Sequence, residues 1–186
     1  EICKLFQHAE ELIRKADDPG IRSVAVVGSG YIGIELAEAY HKKGKKVTLI
    51  DVEPRILPRY FDREFTSSLE ADIRVSGVTL ALGEKVVDLE GADNRVARVV
   101  TDKGAYPADL VIKCVGFKPN TDLLPAAKKT KNGAIIVDKF MQTSIPDIYA
   151  IGDAAAIYHA ALGEPVQVAL ATNAVKSGIT AASHLN

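Results

Sequence analysis

Most of the marks of a metal centre, a membrane protein or a nucleic-acid binder are missing from this 186-residue sequence. The two cysteines, Cys3 and Cys114, lie far apart and form no CxxC pair, so neither a disulfide framework nor a thiolate metal site is expected. The four histidines, His8, His41, His159 and His184, are scattered without an HExxH string or a helical i, i+4 pair, and no metal is expected. The formal net charge is −1, and no block of like charge occurs. Short clusters such as Lys42-Lys43 and Lys128-Lys129 read as solvated helix ends, which argues against nucleic acid as a partner. The longest apolar runs are strand-length, and no charged-then-apolar leader is present, so no membrane span or secretory signal is expected. A soluble, cytoplasmic protein is the default expectation. Repeats and low-complexity tracts are missing too. The chain opens on Glu1 rather than Met and enters a helical pattern at once, which suggests a piece of something longer.

What is present is a core-forming composition, 47% hydrophobic, enough for one complete domain plus part of another. Residues 24–51 organise it. The apolar run Val24-Ala25-Val26-Val27 reads as a buried strand, and GSGYIG follows at 28–33, where the chain must turn tightly out of that strand into a helix. Gly28 permits the turn, Gly30 lets a pyrophosphate approach the backbone, and Gly33 lets the helix pack closely on the sheet. The helix N-terminus adds unpaired N–H groups and a partial positive charge, so the anion needs no lysine. Ile32, Leu36, Ala37 and Tyr40 line one side of the helix, which ends at Gly44 before the strand Val47-Thr48-Leu49-Ile50. Asp51 closes this βαβ unit near the roughly 20-residue offset at which an acid accepts hydrogen bonds from a ribose. A carboxylate there repels a 2′-phosphate, so NAD is favoured over NADP. Arg55, in a Pro-flanked loop, reads as a solvated surface arginine.

Before the glycine string, residues 4–16 carry a helical apolar stripe closed by Asp17-Asp18-Pro19-Gly20. After Asp51, a helix is expected from Asp62 as N-cap through Phe65, Leu69 and Ile73 to Gly77, then a strand at 78–82. Short runs at 85–89, 95–101 and 105–107, separated by turn sequences at 91–94 and 102–104, read as an antiparallel meander in place of a crossover helix. Residues 110–115 read as a buried parallel strand ending in Gly116-Phe117. Gly116 is either a place for a cofactor to pass against bare backbone at a strand end or an ordinary turn glycine before a proline. Cys114, inside that strand, reads as inert core. Short strands are expected at 134–137 and 148–151, and the alanine-rich stretch 166–185 reads as largely helical.

Taken together, AVVGSGYIGIELAEAY (25–40), LID (49–51), CVGFKPNT (114–121), TSIPDIYAIGDA (143–154) and VALATNAVKSG (168–178) resemble the flavin-dependent pyridine nucleotide-disulfide oxidoreductases, and among them the NADH oxidase and NADH peroxidase branch. The resemblance covers nearly the whole chain. It implies an α/β fold: a Rossmann-like parallel sheet with an antiparallel β-meander crossover over residues 1–122, then at 123–186 the incomplete, returning half of an FAD-type α/β domain. It also implies that Gly28, Ser29, Gly30, Tyr31, Ile32 and Gly33 line the NAD pyrophosphate and the nicotinamide approach. Tyr31 would be an aromatic gate over a flavin and Glu35 would face the carboxamide, although both also read as ordinary residues of a first helical turn. Asp51 would hold the ribose, Tyr60 would lie near the adenine, and Gly116 and Ala169 would reach the nicotinamide end. Asp153, Leu170 and Ala171 would belong to FAD, Asp153 at the ribityl chain, and Ala169, Leu170 and Ala171 would form the segment where a helix start meets the flavin ring.

The departures matter as well. The family's amino-terminal FAD half with its own glycine motif, its redox cysteine and its carboxyl-terminal domain have no counterpart here, and neither Cys3 nor Cys114 takes the redox cysteine's place. No catalytic residue is therefore expected in the chain itself. The implied function is the NADH-binding portion of a flavoprotein NADH oxidase, the parent being a homo-oligomer, passing hydride from NADH to FAD and on to O2. NADH peroxidase, acting on peroxide, and coenzyme A disulfide reductase are the alternatives within the family. A stand-alone, non-catalytic NAD-binding module or redox sensor is the alternative outside it.

Overall fold

A computed structural model describes residues 1–58 and 60–185. The chain divides into two compact units, Glu1–Gly116 and Phe117–Asn186; Asn186, the last residue of the expected second domain, lies outside the described residues.

The first unit contains α1 (Phe6–Asp17), β1 (Ser23–Val27), α2 (Tyr31–Lys42), β2 (Lys46–Asp51), α3 (Arg63–Ser76), β3 (Thr79–Leu82), β4 (Val86–Ala92), β5 (Arg95–Thr101), β6 (Ala105–Pro107) and β7 (Leu110–Lys113). The parallel sheet has the order β3-β2-β1-β7, and β4-β5-β6 form a separate antiparallel sheet. Side chains alternate between strand faces, and the sequence uses that alternation. Val24, Val26, Val47, Leu49, Leu80, Leu110 and Ile112 join Leu12, Ala37 and Tyr40 in one buried cluster on the helical side. Ala25, Ile50 and Ala81 point the other way, onto Val99 and Ala108 of the meander region. The unit is thus layered as helices, parallel sheet and antiparallel sheet. Each large aliphatic side chain buried on the helical side contributes about 1.5–3 kcal/mol, whereas Ala25, Ala81 and Ala108 take up little space between the two sheets. The parallel sheet and meander bear out the expected fold class.

Local chemistry sets the ends. Gly77 adopts φ +100° and stops α3, and Asp93 and Asn94, at φ +51° and +58°, form the tight hairpin turn between β4 and β5. Gly91 and Ala92, expected in that turn, belong to β4 instead. Tyr40 fastens α2 to α1 by donating its buried hydroxyl to the Leu12 carbonyl at 2.8 Å, and burial pushes its phenol up to about 12. On α3, only Thr66 is buried. Phe65 is 71% exposed, while Leu69 and Ile73 border an open apolar groove shared with Ile34 and Ala37 of α2.

The second unit contains β8 (Ile135–Ile136), a 3-10 turn (Gly152–Ala154), β9 (Ala155–His159), β10 (Glu164–Val166) and α4 (Ala171–Leu185). β9 is central, parallel to β8 and antiparallel to β10. Two expectations fail here. The run at 148–151 is not a strand but carries one isolated bridge, between Gln142 and Tyr149; the strand falls later, where the fully covered Ala155 and Ala156 pair with Ile135 and Ile136. Helix also begins later than residue 166, because Val166 pairs with Ile157 in β10 and α4 starts only at Ala171. Among the described residues, no helix is long and apolar enough to cross a membrane.

Candidate functional site

The sheet order creates the site. From β1 the chain moves through β2 and β3 on one side, then returns through the meander to place β7 on the other side of β1. The strand order thus reverses at β1, with β2 on one side and β7 on the other, and ligands of open α/β sheets bind at the carboxyl ends of the strands at such a switch point. The glycine string lies there.

Each glycine meets a different environment. Gly28 has φ +108°, and a Cβ on it would come within 2.5 Å of the Cys114 carbonyl oxygen. At Gly33 a Cβ would lie 1.8 Å from the Gly28 carbonyl oxygen, so α2 starts flush against the loop. A Cβ on Gly30 would meet nothing within 4 Å. That leaves open space at the N-terminus of α2, beside first-turn N–H groups that have no carbonyl four residues back to bond. Gly116, at φ +91°, is also unobstructed.

Ser29 and Asp51 form a latch that spacing alone does not predict. Asp51 accepts hydrogen bonds on Oδ2 from the Ser29 N–H and, at 2.7 Å, from the Ser29 hydroxyl, while Oδ1 accepts the Glu53 N–H at 3.0 Å. The Ser29 carbonyl accepts the Leu57 N–H at 3.0 Å. Ser29 is fully buried, and its N–H, hydroxyl proton and carbonyl are all engaged within the protein. A carboxylate accepts about four hydrogen bonds, so Asp51 retains capacity for hydroxyl donors. Its backbone carbonyl is held in turn by the Glu84 N–H at 2.8 Å. The Glu84 carboxylate accepts the hydroxyls of Thr101 at 2.7 Å and Tyr106 at 2.9 Å, which ties the meander to the end of β2.

The loop after β2 brings aromatics to the start of α2. Arg55 is not a free surface arginine: Nη2 donates to the Pro58 carbonyl at 2.8 Å and Nη1 to the Phe61 carbonyl at 2.7 Å. The folded loop sets Tyr60 and Phe61 beside Tyr31, with ring centroids 4.4 and 6.2 Å away. All three rings are substantially exposed. Tyr60 thus stands against Tyr31 at the α2 N-terminus, and Phe61 is a third member that sequence reasoning missed; an aromatic pair following the acid was the available signal. Ile32 is half-buried and Glu35 points to solvent on α2.

In the second unit, the 3-10 turn docks on α4. The Gly152 N–H donates to the Ser177 hydroxyl at 3.0 Å, and a Cβ on Gly152 would lie 3.5 Å from that of Ala174. This sets the exposed Asp153 near the first turns of α4, whose start is Leu170-Ala171. Ala169 is half-buried, Leu170 is 47% exposed, and Ile151 and Val168 add further exposed apolar surface. Among the described residues, no group of histidines, cysteines and acids is placed to hold a metal.

Known proteins share this arrangement. An NADH oxidase of Streptococcus pneumoniae is 44% identical over 98% of this chain, which covers 40% of that protein. The water-forming NADH oxidase of Lactobacillus brevis, solved bound to NADH, superposes with a TM-score of 0.93 at 45% identity, over 100% of this chain and 41% of that one. An engineered water-forming NADPH oxidase derived from it, bound to NADPH, gives a TM-score of 0.92 at 43% identity, over 98% of this chain and 40% of that one. The chain thus spans about 40% of the length of the curated relatives it matches. The model of the pyridine nucleotide-disulphide oxidoreductases matches residues 2–178, and with the glycine loop, the acid at the end of β2 and the meander all in place, the chain belongs to that family.

Proposed function

We propose that this chain is the NADH-binding portion of a flavoprotein NADH oxidase. The observation that carries the reading is the glycine loop at the β1/β7 switch point: open at Gly30, closed against backbone at Gly28 and Gly33, and latched through Ser29 to Asp51. In this reading the α2 N-terminus and Gly30 hold the pyrophosphate. Asp51 takes the adenosine ribose, and Tyr31, Tyr60 and Phe61 offer flat surfaces at the loop's edge. Ile32, Glu35, Gly116 and Ala169 serve the nicotinamide end.

In the same reading the second unit would hold FAD: the exposed carboxylate of Asp153 would take the ribityl hydroxyls, and the start of α4 at Leu170-Ala171, with its apolar surface, would meet the ring. FAD, when bound, supplies the acceptor for the hydride that NADH carries. The protein's own residues bind and orient. Holding the donor carbon against its acceptor makes the transfer effectively intramolecular. Oxygen as the final acceptor and a homo-oligomeric parent belong to the same proposal.

The choice of NADH over NADPH rests on Asp51. The engineered NADPH-bound relative exchanges, among other residues, an aspartate for alanine and two residues for arginine, the change expected if an acid excludes a 2′-phosphate. Calorimetric titration of the purified chain with NADH, NADPH and FAD tests the reading. NADH should bind, NADPH should bind at least about tenfold more weakly, and FAD should not be retained. Equal affinity for the two nicotinamide cofactors would refute the role of Asp51. A purified chain that is yellow and consumes NADH under air would refute the division of labour.

A further inference from the structure

Cys3 and Cys114 stand at opposite ends of the sequence of the first unit, yet the fold sets them side by side. The segment before α1 adds to the free edge of β7: Ile2 forms a parallel bridge with Lys113, and the Lys113 N–H donates to the Glu1 carbonyl at 2.8 Å. In parallel pairing the next residues in register are Cys3 and Cys114. Neighbouring strands lie about 4.8 Å apart, inside the roughly 4.4–6.8 Å between α-carbons that a disulfide spans. Their side chains also share a face. Ile2, Val111, Lys113 and Val115 border one common groove, whereas Cys3 and Cys114 both pack on the cluster containing Leu110 and Ile112, on the helical side of the sheet. Both thiols are free and half-buried.

We propose that Cys3 and Cys114 form a redox-active dithiol, oxidised to an intramolecular disulfide by hydroperoxides. Cys3 borders an open groove between α1 and α2, with Ala9, Leu12, Leu36 and Tyr40, and is the thiol that a small oxidant reaches first. Its thiolate attacks the O–O bond of ROOH, which gives a sulfenic acid on Cys3 and releases ROH. The Cys114 thiol then attacks the Cys3 sulfur; the S–S bond forms and water leaves. Two thiols and one hydroperoxide become one disulfide, one alcohol and one water, with the two electrons lost by sulfur taken up by the peroxide oxygens. Burial, with Cys3 as a further contribution, pushes the Cys114 thiol up to about 11, so it is not the thiol that meets the oxidant first, and in the second step its proton must pass to the departing hydroxide as the S–S bond forms. The disulfide would lie directly under the glycine loop, since the Cys114 carbonyl faces Gly28 and its Cβ lies 3.6 Å from where a Cβ on Gly33 would be.

The test uses the reduced chain, hydrogen peroxide as the probe, and alkylation under denaturing conditions followed by mass spectrometry. The expected product is a monomer about 2 Da lighter, with no alkylatable thiol and with the peptides of Cys3 and Cys114 covalently joined. Cys114→Ser should instead stop at a Cys3 sulfenic acid that dimedone traps, and Cys3→Ser should keep its remaining thiol. The proposal fails if the wild-type chain retains two alkylatable thiols, if either sulfur runs on to sulfinic acid without a link, or if only intermolecular dimers form. The wild-type result decides even if a variant does not fold.

Discussion

Glycines that look equivalent in a motif separate into two kinds once their surroundings are known. A side chain at Gly28 has no room and the wrong backbone angle, whereas one at Gly30 has both space and an ordinary extended conformation, φ −74°. Gly28→Ala should therefore cost about 2–4 kcal/mol of stability in a denaturant titration. Gly30→Ala should stay within about 0.5 kcal/mol of the parent yet weaken NADH binding by roughly tenfold or more, because the methyl occupies the space proposed for the pyrophosphate. Asp109 gives a second residue-scale prediction. Its carboxylate accepts the Ser23 N–H, the Arg22 N–H and the Ser23 hydroxyl at 2.8–2.9 Å, bonds that hold it below its ordinary value of 3.8. A depressed carboxylate stabilises the fold in full above the ordinary range and loses that contribution as pH falls through the folded value. Asp109→Asn should accordingly flatten the acid side of the stability profile, measured by urea unfolding from about pH 6 down to about pH 3. The glycine roles were legible in the sequence because each follows from backbone geometry that a motif fixes. The Ser29–Asp51 latch and the pairing of Cys3 with Cys114 were not, since both arise between segments whose adjacency no spacing encodes.

Among elements, legibility followed side-chain size and alternation. β1, β2, β3 and β7 carry enough aliphatic bulk on the helical side to declare themselves, and the meander was readable from its turn residues. The second unit was less so: β9 opens on two alanines and β8 is two residues long, too little for a period of two to appear. A helical stripe also promised more burial than α3 achieves. Phe65→Ser should consequently change stability by less than about 0.5 kcal/mol, in contrast to substitutions in α2. The β4–β5 turn is more demanding, because Asn94 sits in the left-handed region where a β-branched residue is strained. Asn94→Val should lower stability by about 1–2 kcal/mol, read from the thermal or denaturant midpoint.

At the scale of the molecule, each unit has buried clusters of its own among the described residues. Two lie wholly within Glu1–Gly116, and the third, built from Ala127, Ile135, Val137, Met141, Ala150, Ala155 and Ala181, lies wholly within the second unit. Small side chains dominate that third cluster, so it offers less apolar area per residue. Calorimetry should show two transitions, the lower belonging to the second unit, with NADH raising only the upper one. One merged transition that NADH shifts as a whole would show that the units unfold together. The latch at Ser29 has its own bearing at this scale. The acid proposed to tell NADH from NADPH is also the fastener of the loop proposed to grip the pyrophosphate that both cofactors share. Selectivity and grip are therefore mechanically coupled at one side chain. Any lineage or engineer that neutralises position 51 to admit a 2′-phosphate must also supply a new restraint for the glycine loop, or accept weaker binding of both cofactors.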